Sequence, residues 1–202
     1  MYLFKYVLMM IIISAYFVGS YLPPSWGWEN SPLEWSQVVI LLIGALLTGK
    51  WWQEARSVRQ DRYARFFAWG IPLWILLAGR EMSWGRVFYL KGIDAVTGPS
   101  FIPVSQLPYG PMIYPVLGAV VVLCLFAIIK HKLYRIPYEL FQQGRFPIGE
   151  LLLLIFAIIV ANIAEKKMHY EIMEEIVECI AYLTIILITY RIKVNLEQRY
   201  IK

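Results

Sequence analysis

Six mainly apolar segments that are candidates to cross a lipid bilayer dominate this chain, although the apolar part of the last one, Ile180 to Tyr190, is too short to cross alone. A transmembrane helix needs about 20 mainly apolar residues. The composition agrees, since 59% of the 202 residues are hydrophobic and only 16% are charged. We predict an all-α polytopic transmembrane helical bundle, a single transmembrane domain over residues 1–202. Its spans would be approximately 4–21, 34–48, 63–80, 112–130, 146–164 and 171–190. We expect the first run to be a retained helix, because no small-residue cleavage site follows it.

Basic residues are distributed unevenly between the runs. With the N-terminus inside, 14 of the 19 Lys and Arg residues face the cytoplasm and 5 face the other side. Positive charge accumulates in cytoplasmic loops. We therefore predict a multi-pass protein with both termini cytoplasmic, whose net charge of +5 reflects orientation and not a nucleic-acid partner.

The outer segment 90–114 is rich in proline and glycine and still apolar. A long apolar loop should pack against something, since loose loops are usually polar. We expect this segment to fold back over the outer ends of the helices as a cap.

A charged stretch, 165–179, joins two of the most apolar runs. Counting back about 20 residues from Tyr190 places the outer end of the sixth span near Glu171. Glu171, Glu174, Glu175 and Glu178 follow helical spacing and form one stripe. Glu178 would lie about 10 Å deeper than Glu171. Acidic residues favour the first turn of a helix, which could explain Glu171 without a function but does not reach Glu178.

The end of the fifth span has a matching stripe. Asn162, Glu165, Lys166 and His169 share one face if the helix continues that far. A tight hairpin would then set the two stripes side by side. Lys166 and Lys167 oppose the orientation rule, so they would pair with nearby glutamates or bind an anionic headgroup.

The third span places charge at the same level. A span that starts after Arg65 would end near Gly85, which puts Arg80 and Glu81 below the outer surface. Charges there normally face the bundle interior and have a partner. We predict an ion pair between Arg80 and Glu178. Trp84 could act in the site or simply anchor the interface.

Carboxylates in apolar surroundings hold protons readily and can serve as general acids or bases, while arginine and lysine bind anionic groups. The predicted catalytic residues are Glu178, Arg80, Glu81, His169, Glu165 and Glu174. The predicted substrate-binding residues are Arg86, Lys166, Lys167, Trp84, Asn162 and Glu175.

The sequence does not identify a cofactor. Glu165 and His169 have a spacing that suits a divalent metal, but the zinc motif H-E-x-x-H is absent and we assign no metal ligand. His131 and His169 fall on opposite sides of the membrane, which excludes a haem held by two histidines.

The motifs Arg80-Glu81-x-Ser83-Trp84-Gly85-Arg86 and Glu174-Glu175-x-x-Glu178 resemble those of uncharacterised bacterial multi-pass membrane proteins. The resemblance implies a bacterial inner-membrane protein and carries no activity. The chain departs from the ceramidase and adiponectin-receptor-like group, whose several histidines it lacks.

Three functions are compatible with these patterns. The first is an enzyme acting on a lipid or polyprenyl headgroup in the outer leaflet. The second is a non-catalytic accessory or assembly subunit, in which buried charges fix helix packing. The third is a proton-coupled transporter, against which stands the clustering of the carboxylates at one end of the spans.

Overall fold

The computed structural model describes residues 2–94 and 98–197. These ranges are mostly helical, as predicted. The α-helices are α1 (Tyr2–Tyr21), α2 (Pro32–Ser57), α3 (Asp61–Glu81), α4 (Gly110–Lys130), α5 (Arg135–Gln142), α6 (Ile148–Ile163) and α7 (Glu171–Glu197). Short 3-10 turns cover Pro24–Gly27, Ser83–Phe88 and Val104–Gln106, and a π-helical turn covers Ala164–Met168.

Four of the described helices are long and apolar enough to cross a membrane: Phe4–Tyr21, Pro32–Ser57, Gly110–Lys130 and Ile148–Met168. They correspond to the first, second, fourth and fifth predicted spans. The predicted third and sixth spans form the continuous helices α3 and α7, which carry more charge and are not among these four. Integral membrane character is therefore supported, while the number of six spans and the orientation of the termini stay predictions.

The segment between α3 and α4 contains two strands that the sequence did not predict. β1 (Leu90–Asp94) pairs with β2 (Gly98–Phe101) in a two-stranded sheet. Gly98 has a φ of +81° and lies directly against the ring of Trp28, so a side chain at this position would be strained and would collide with the indole. The 3-10 turns Ser83–Phe88 and Val104–Gln106 lie before and after these strands, and α4 begins at Gly110. Its role as a cap stays a prediction.

The chain forms two compact units. The first comprises Met1–Ile40, Leu90–Ser100 and Pro147–Arg191. Its core is made where α1, α6 and α7 pack together, with Ala15, Ala157 and Val177 completely buried. Alanine at such positions lets helix backbones approach closely, which is how helices associate in lipid.

The second unit comprises Leu41–Tyr89, Phe101–Phe146 and Ile192–Lys202. Within it, α2 and α3 pack through Trp74, whose ring lies so close to Gly44 that a Cβ there would be 2.7 Å from the indole. The indole Nε1 of Trp74 donates a 2.8 Å hydrogen bond to the hydroxyl of Thr48, and both residues are buried.

Replacing Thr48 by valine should lower the free energy of unfolding by about 1 to 2 kcal/mol. Valine has nearly the shape of threonine, so the main change is a buried indole N–H that has lost its acceptor. Thermal unfolding in detergent would measure the effect. Thr48→Ser keeps the hydroxyl and should lose less; equal losses from the two variants would contradict the hydrogen-bond explanation.

Candidate functional site

The charged link between α6 and α7 is a single turn in the first unit. After Ile163 the helix widens into the π turn, and His169 then adopts a left-handed conformation with a φ of 50°. The N–H of Tyr170 donates to the carbonyl of Ala164 at 3.0 Å and closes the turn. The condition for the fifth-span stripe, a helix that continues through His169, is therefore not met, because a π turn changes the helical register and His169 has left the helix.

The turn still gathers five of the twelve predicted site residues around one open cavity of about 630 Å³. We call it the glutamate cavity. It is lined by Gly27, Glu29, Glu34, Glu165, Lys166, His169, Glu171, Glu174 and Glu175. Six carboxylates thus face one lysine and one histidine. Glu165, Lys166 and His169 are exposed, whereas Glu174 and Glu175 are half-buried.

Three predicted site residues of this unit do not line the cavity. Asn162 is exposed and its amide donates to the carbonyl of Ile158 at 2.9 Å, one turn back on its own helix. Lys167 is exposed beside the lining residue Lys166. Glu178 is half-buried further along α7.

The cavity includes residues that sequence reasoning missed, Glu29 and Glu34, from the first loop and the start of α2. Glu34 is part of a helix cap: its backbone N–H donates to the hydroxyl of Ser31 at 3.4 Å, and its carboxylate accepts the N–H of Asn30 at 2.5 Å. The motif S-x-x-E in the sequence could have predicted this cap. The loop between α1 and α2 contains Glu29 and no basic residue.

Gly27 brings that loop against α7. A Cβ at Gly27 would lie 3.0 Å from the Cβ of Glu171, so the close approach depends on glycine. The loop therefore forms one wall of the glutamate cavity because the chain has no side chain at this point.

Gln37 holds Glu175 in place from α2. Its side chain is completely buried, and its Nε2 donates to Glu175 twice, to the carboxylate at 2.6 Å and to the backbone carbonyl at 3.2 Å. Gln37 lies within the predicted second span, where a buried amide needs a partner. The predicted site did not include Gln37, although a glutamine inside an apolar span indicates a polar partner.

Tyr170 ties the turn to α1. Its hydroxyl donates to the carbonyl of Tyr16 at 3.3 Å, and the two rings meet edge to face with centroids 5.5 Å apart. Burial, and to a smaller extent the neighbouring Tyr16, raises the pKa of Tyr170. A raised pKa favours the protonated phenol, which is the form that donates this hydrogen bond.

The predicted residues Arg80, Glu81, Trp84 and Arg86 belong to the second unit. Arg80 and Glu81 end α3, and the chain then passes through three consecutive left-handed residues, with φ of 44° at Ser83, 57° at Trp84 and 88° at Gly85. Such conformations are uncommon for residues other than glycine. A Cβ at Gly79 would lie 2.6 Å from the Trp84 ring, so the indole folds back onto a glycine of α3.

Arg80 contacts its neighbour Glu81, with Nε and Oε1 3.5 Å apart. The arginine side chain is 61% exposed and the carboxylate 7% exposed. Arg80 and Glu178 belong to different units, and their ion pair stays a prediction. The described residues include no group of three or more His, Cys, Asp or Glu placed to hold a metal ion.

Comparisons with protein-family models, curated proteins and solved structures give no match.

Proposed function

We propose that this protein is a membrane enzyme that acts on a lipid or polyprenyl headgroup. The glutamate cavity would be its acid–base site. The distribution of Lys and Arg supports an outward-facing cavity in the outer leaflet, with both termini cytoplasmic. The resemblance of the two motifs to bacterial multi-pass proteins suggests that this membrane is a bacterial inner membrane.

One observation carries this proposal: the glutamate cavity lies at the end of an apolar segment long enough to span a membrane. That segment runs from Ile148 to Met168, and the cavity is lined by Glu165, Lys166 and His169 at its end. The end of such a segment lies at the level of the lipid headgroups. A polar cavity at this depth can receive a headgroup while the lipid chains remain in the bilayer.

The cavity offers side chains for proton transfer and for binding. His169 is the residue type that most readily exchanges a proton near neutral pH. The half-buried Glu174 and the exposed Glu165 differ in their surroundings, which is how two carboxylates come to serve as acid and base. Lys166 can bind a phosphate or another anionic group.

The charges that line the glutamate cavity favour one class of lipid headgroup over another. Six carboxylates around one lysine disfavour a purely anionic headgroup, since like charges repel at short distance. A headgroup with an ammonium group beside its phosphate, as in phosphatidylethanolamine, would place the amine among the glutamates and the phosphate near Lys166.

Replacing Glu174 by Gln or His169 by Asn should reduce lipid turnover about a hundredfold or more, the usual range for lost acid–base catalysis. Asparagine tolerates the left-handed backbone at position 169. Turnover would be measured by mass spectrometry of lipids from producing cells. A parallel assay would use purified protein in vesicles of phosphatidylethanolamine or of phosphatidylglycerol.

Lys166 and Lys167 provide a matched control, since both are exposed and only Lys166 lines the cavity. Lys166→Gln should reduce turnover, whereas Lys167→Gln should leave it unchanged. Folded yield in detergent must stay normal in all variants. If the wild-type protein changes no lipid in cells or in either vesicle, the proposal is wrong.

A second candidate is a non-catalytic accessory subunit, supported by the use of Glu175 in packing. Glu175 accepts two hydrogen bonds from the buried Gln37, which join α2 to α7. If the protein is an accessory subunit, Glu175→Gln would lower folded yield, and Glu174→Gln would leave lipid composition unchanged. The predicted pair can be tested likewise: Glu178→Gln and Arg80→Gln would each reduce yield, and the double variant would restore it.

A further inference from the structure

A long apolar groove runs between α3 and α4 in the second unit. We call it the α3–α4 groove. It has a volume of about 850 Å³ and is lined by Trp69, Leu76 and Gly79 on one side and by Met112, Val116 and Cys124 on the other. This volume is within the range of about 300–1,000 Å³ typical of ligand sites in proteins.

The length of the groove matches one leaflet of a bilayer. Its α3 wall extends from Trp69 to Gly79, roughly 15 Å at the helical rise, and its α4 wall from Met112 to Cys124, roughly 18 Å. Half of a hydrocarbon core is about 15 Å thick. Since α4 is itself apolar enough to span the membrane, the groove opens along a membrane helix for about the depth of one leaflet.

One end of the groove is built by the left-handed turn. Trp84 and Gly85 line this end together with Tyr109, whose hydroxyl donates to the Trp84 carbonyl at 3.3 Å. Left-handed conformations are uncommon for tryptophan and serine, and such strain persists where the surrounding structure holds it. The turn thus holds the aromatic rings of Trp84 and Tyr109 at the end of the groove next to the C-terminus of α3.

Two arginines are close in sequence to the same end. Arg80 and Arg86 flank the lining residues Met82, Trp84 and Gly85 along the chain. The Arg80 side chain is 61% exposed, with its Nε 3.5 Å from the carboxylate of Glu81. Arginine binds phosphate well because its donors fit two phosphate oxygens at once. The apolar walls, their length and this charge together match a phospholipid, with one chain in the groove and its phosphate at the arginine end.

We propose that the α3–α4 groove binds one hydrocarbon chain of a phospholipid from a single leaflet, with the phosphate held at Arg80. Binding of this kind does not depend on the acid–base function, since a lipid can be held without being altered. The proposed lipid site is therefore tested by measuring lipid binding, not lipid turnover.

The test uses the full chain in vesicles of phosphatidylethanolamine and phosphatidylglycerol. The probe is phosphatidylglycerol with a photoactivatable diazirine on one acyl chain, and its adducts are mapped by mass spectrometry. We expect adducts on Ile75, Leu76 and Val120, which line the groove. Val116→Trp would fill the groove and reduce these adducts several-fold.

Val122→Trp is the matched control. Val116 and Val122 are both on α4 and are 51% and 63% exposed, but only Val116 lines the groove. Val122→Trp should leave labelling unchanged, and both variants must unfold at the temperature of the wild-type protein. If Val116→Trp does not fold, Leu76→Trp replaces it from the opposite wall.

A second arm tests the phosphate. Arg80→Gln should reduce labelling by the phosphatidylglycerol probe roughly two- to fivefold, as suits an exposed ionic contact. It should not change labelling by a diacylglycerol probe, which has no phosphate. Equal loss with both probes would overturn the role of Arg80.

Two outcomes would overturn the groove as a lipid site. Adducts spread evenly over the exposed side chains of α4, including Val122, would indicate ordinary bilayer contact. Crosslinks between two chains at Val116, together with a dimer that Val116→Trp abolishes, would indicate that a second copy occupies the groove.

Discussion

Replacing Glu150 by alanine is expected to lower the free energy of unfolding by about 3 to 5 kcal/mol. Glu150 stands in the first turn of α6, and its carboxylate accepts a 3.2 Å hydrogen bond from Nε of Arg191 on α7. Their side chains are only 7% and 20% exposed. The alanine variant would leave the Arg191 guanidinium in an apolar setting without this counter-charge.

The measurement is unfolding in mixed detergent micelles, with Lys50→Ala as the control. Lys50 and Glu54 are 4.0 Å apart and largely exposed, so loss of that pair should cost less than about 1 kcal/mol. Replacing both Glu150 and Arg191 by leucine should recover most of the stability, because a buried apolar pair needs no counter-charge. Similar, small losses in Glu150→Ala and Lys50→Ala would contradict the argument.

This ion pair shows what the sequence could not predict. Glu150 precedes an apolar run and has the features of an acidic residue at a helix start, which favours the helix dipole without any partner. Arg191 follows another run and was counted as a cytoplasmic charge. Their contact joins the first turn of α6 to α7 across 41 residues, and only the packing of the two helices creates it.

The helices themselves could be predicted, because an apolar run of about 20 residues has the length and composition of a transmembrane helix. The strands β1 and β2 could not, because glycine and proline in that segment predicted a loop. Pairing of two short strands depends on support such as the contact between Gly98 and Trp28, which joins residues far apart in the chain.

The sequence grouped only some of the residues that line the glutamate cavity, because the others come from a distant part of the chain. Helical spacing grouped Glu174 with Glu175, and a tight link brought Glu165 and His169 near them. Spacing describes neighbours on one helix, so it could not include Glu29 from a separate loop. The π turn has no signature in the sequence, so the sequence could not decide whether the helix continues through His169.

Gly110→Ala is expected to be the most damaging small substitution in the second unit, costing about 3 kcal/mol or more. Gly110 begins α4, and a Cβ there would collide with the backbone carbonyl oxygen of Val104 and press on Ser105. A neighbouring side chain could rotate away from the new Cβ, but the carbonyl of Val104 belongs to the main chain and cannot. The turn that positions Tyr109 would have to move.

Gly118→Ala is the matched control on the same helix, since a Cβ there meets nothing within 4 Å. Alanine favours a helix over glycine by up to about 1 kcal/mol, so this variant should be neutral or more stable. The two thermal unfolding midpoints should therefore move in different directions. Because Tyr109 closes the end of the α3–α4 groove, Gly110→Ala should also weaken lipid labelling, and Gly118→Ala should not. Equal shifts in both variants would show that the approach of Val104 to Gly110 does not fix the start of α4.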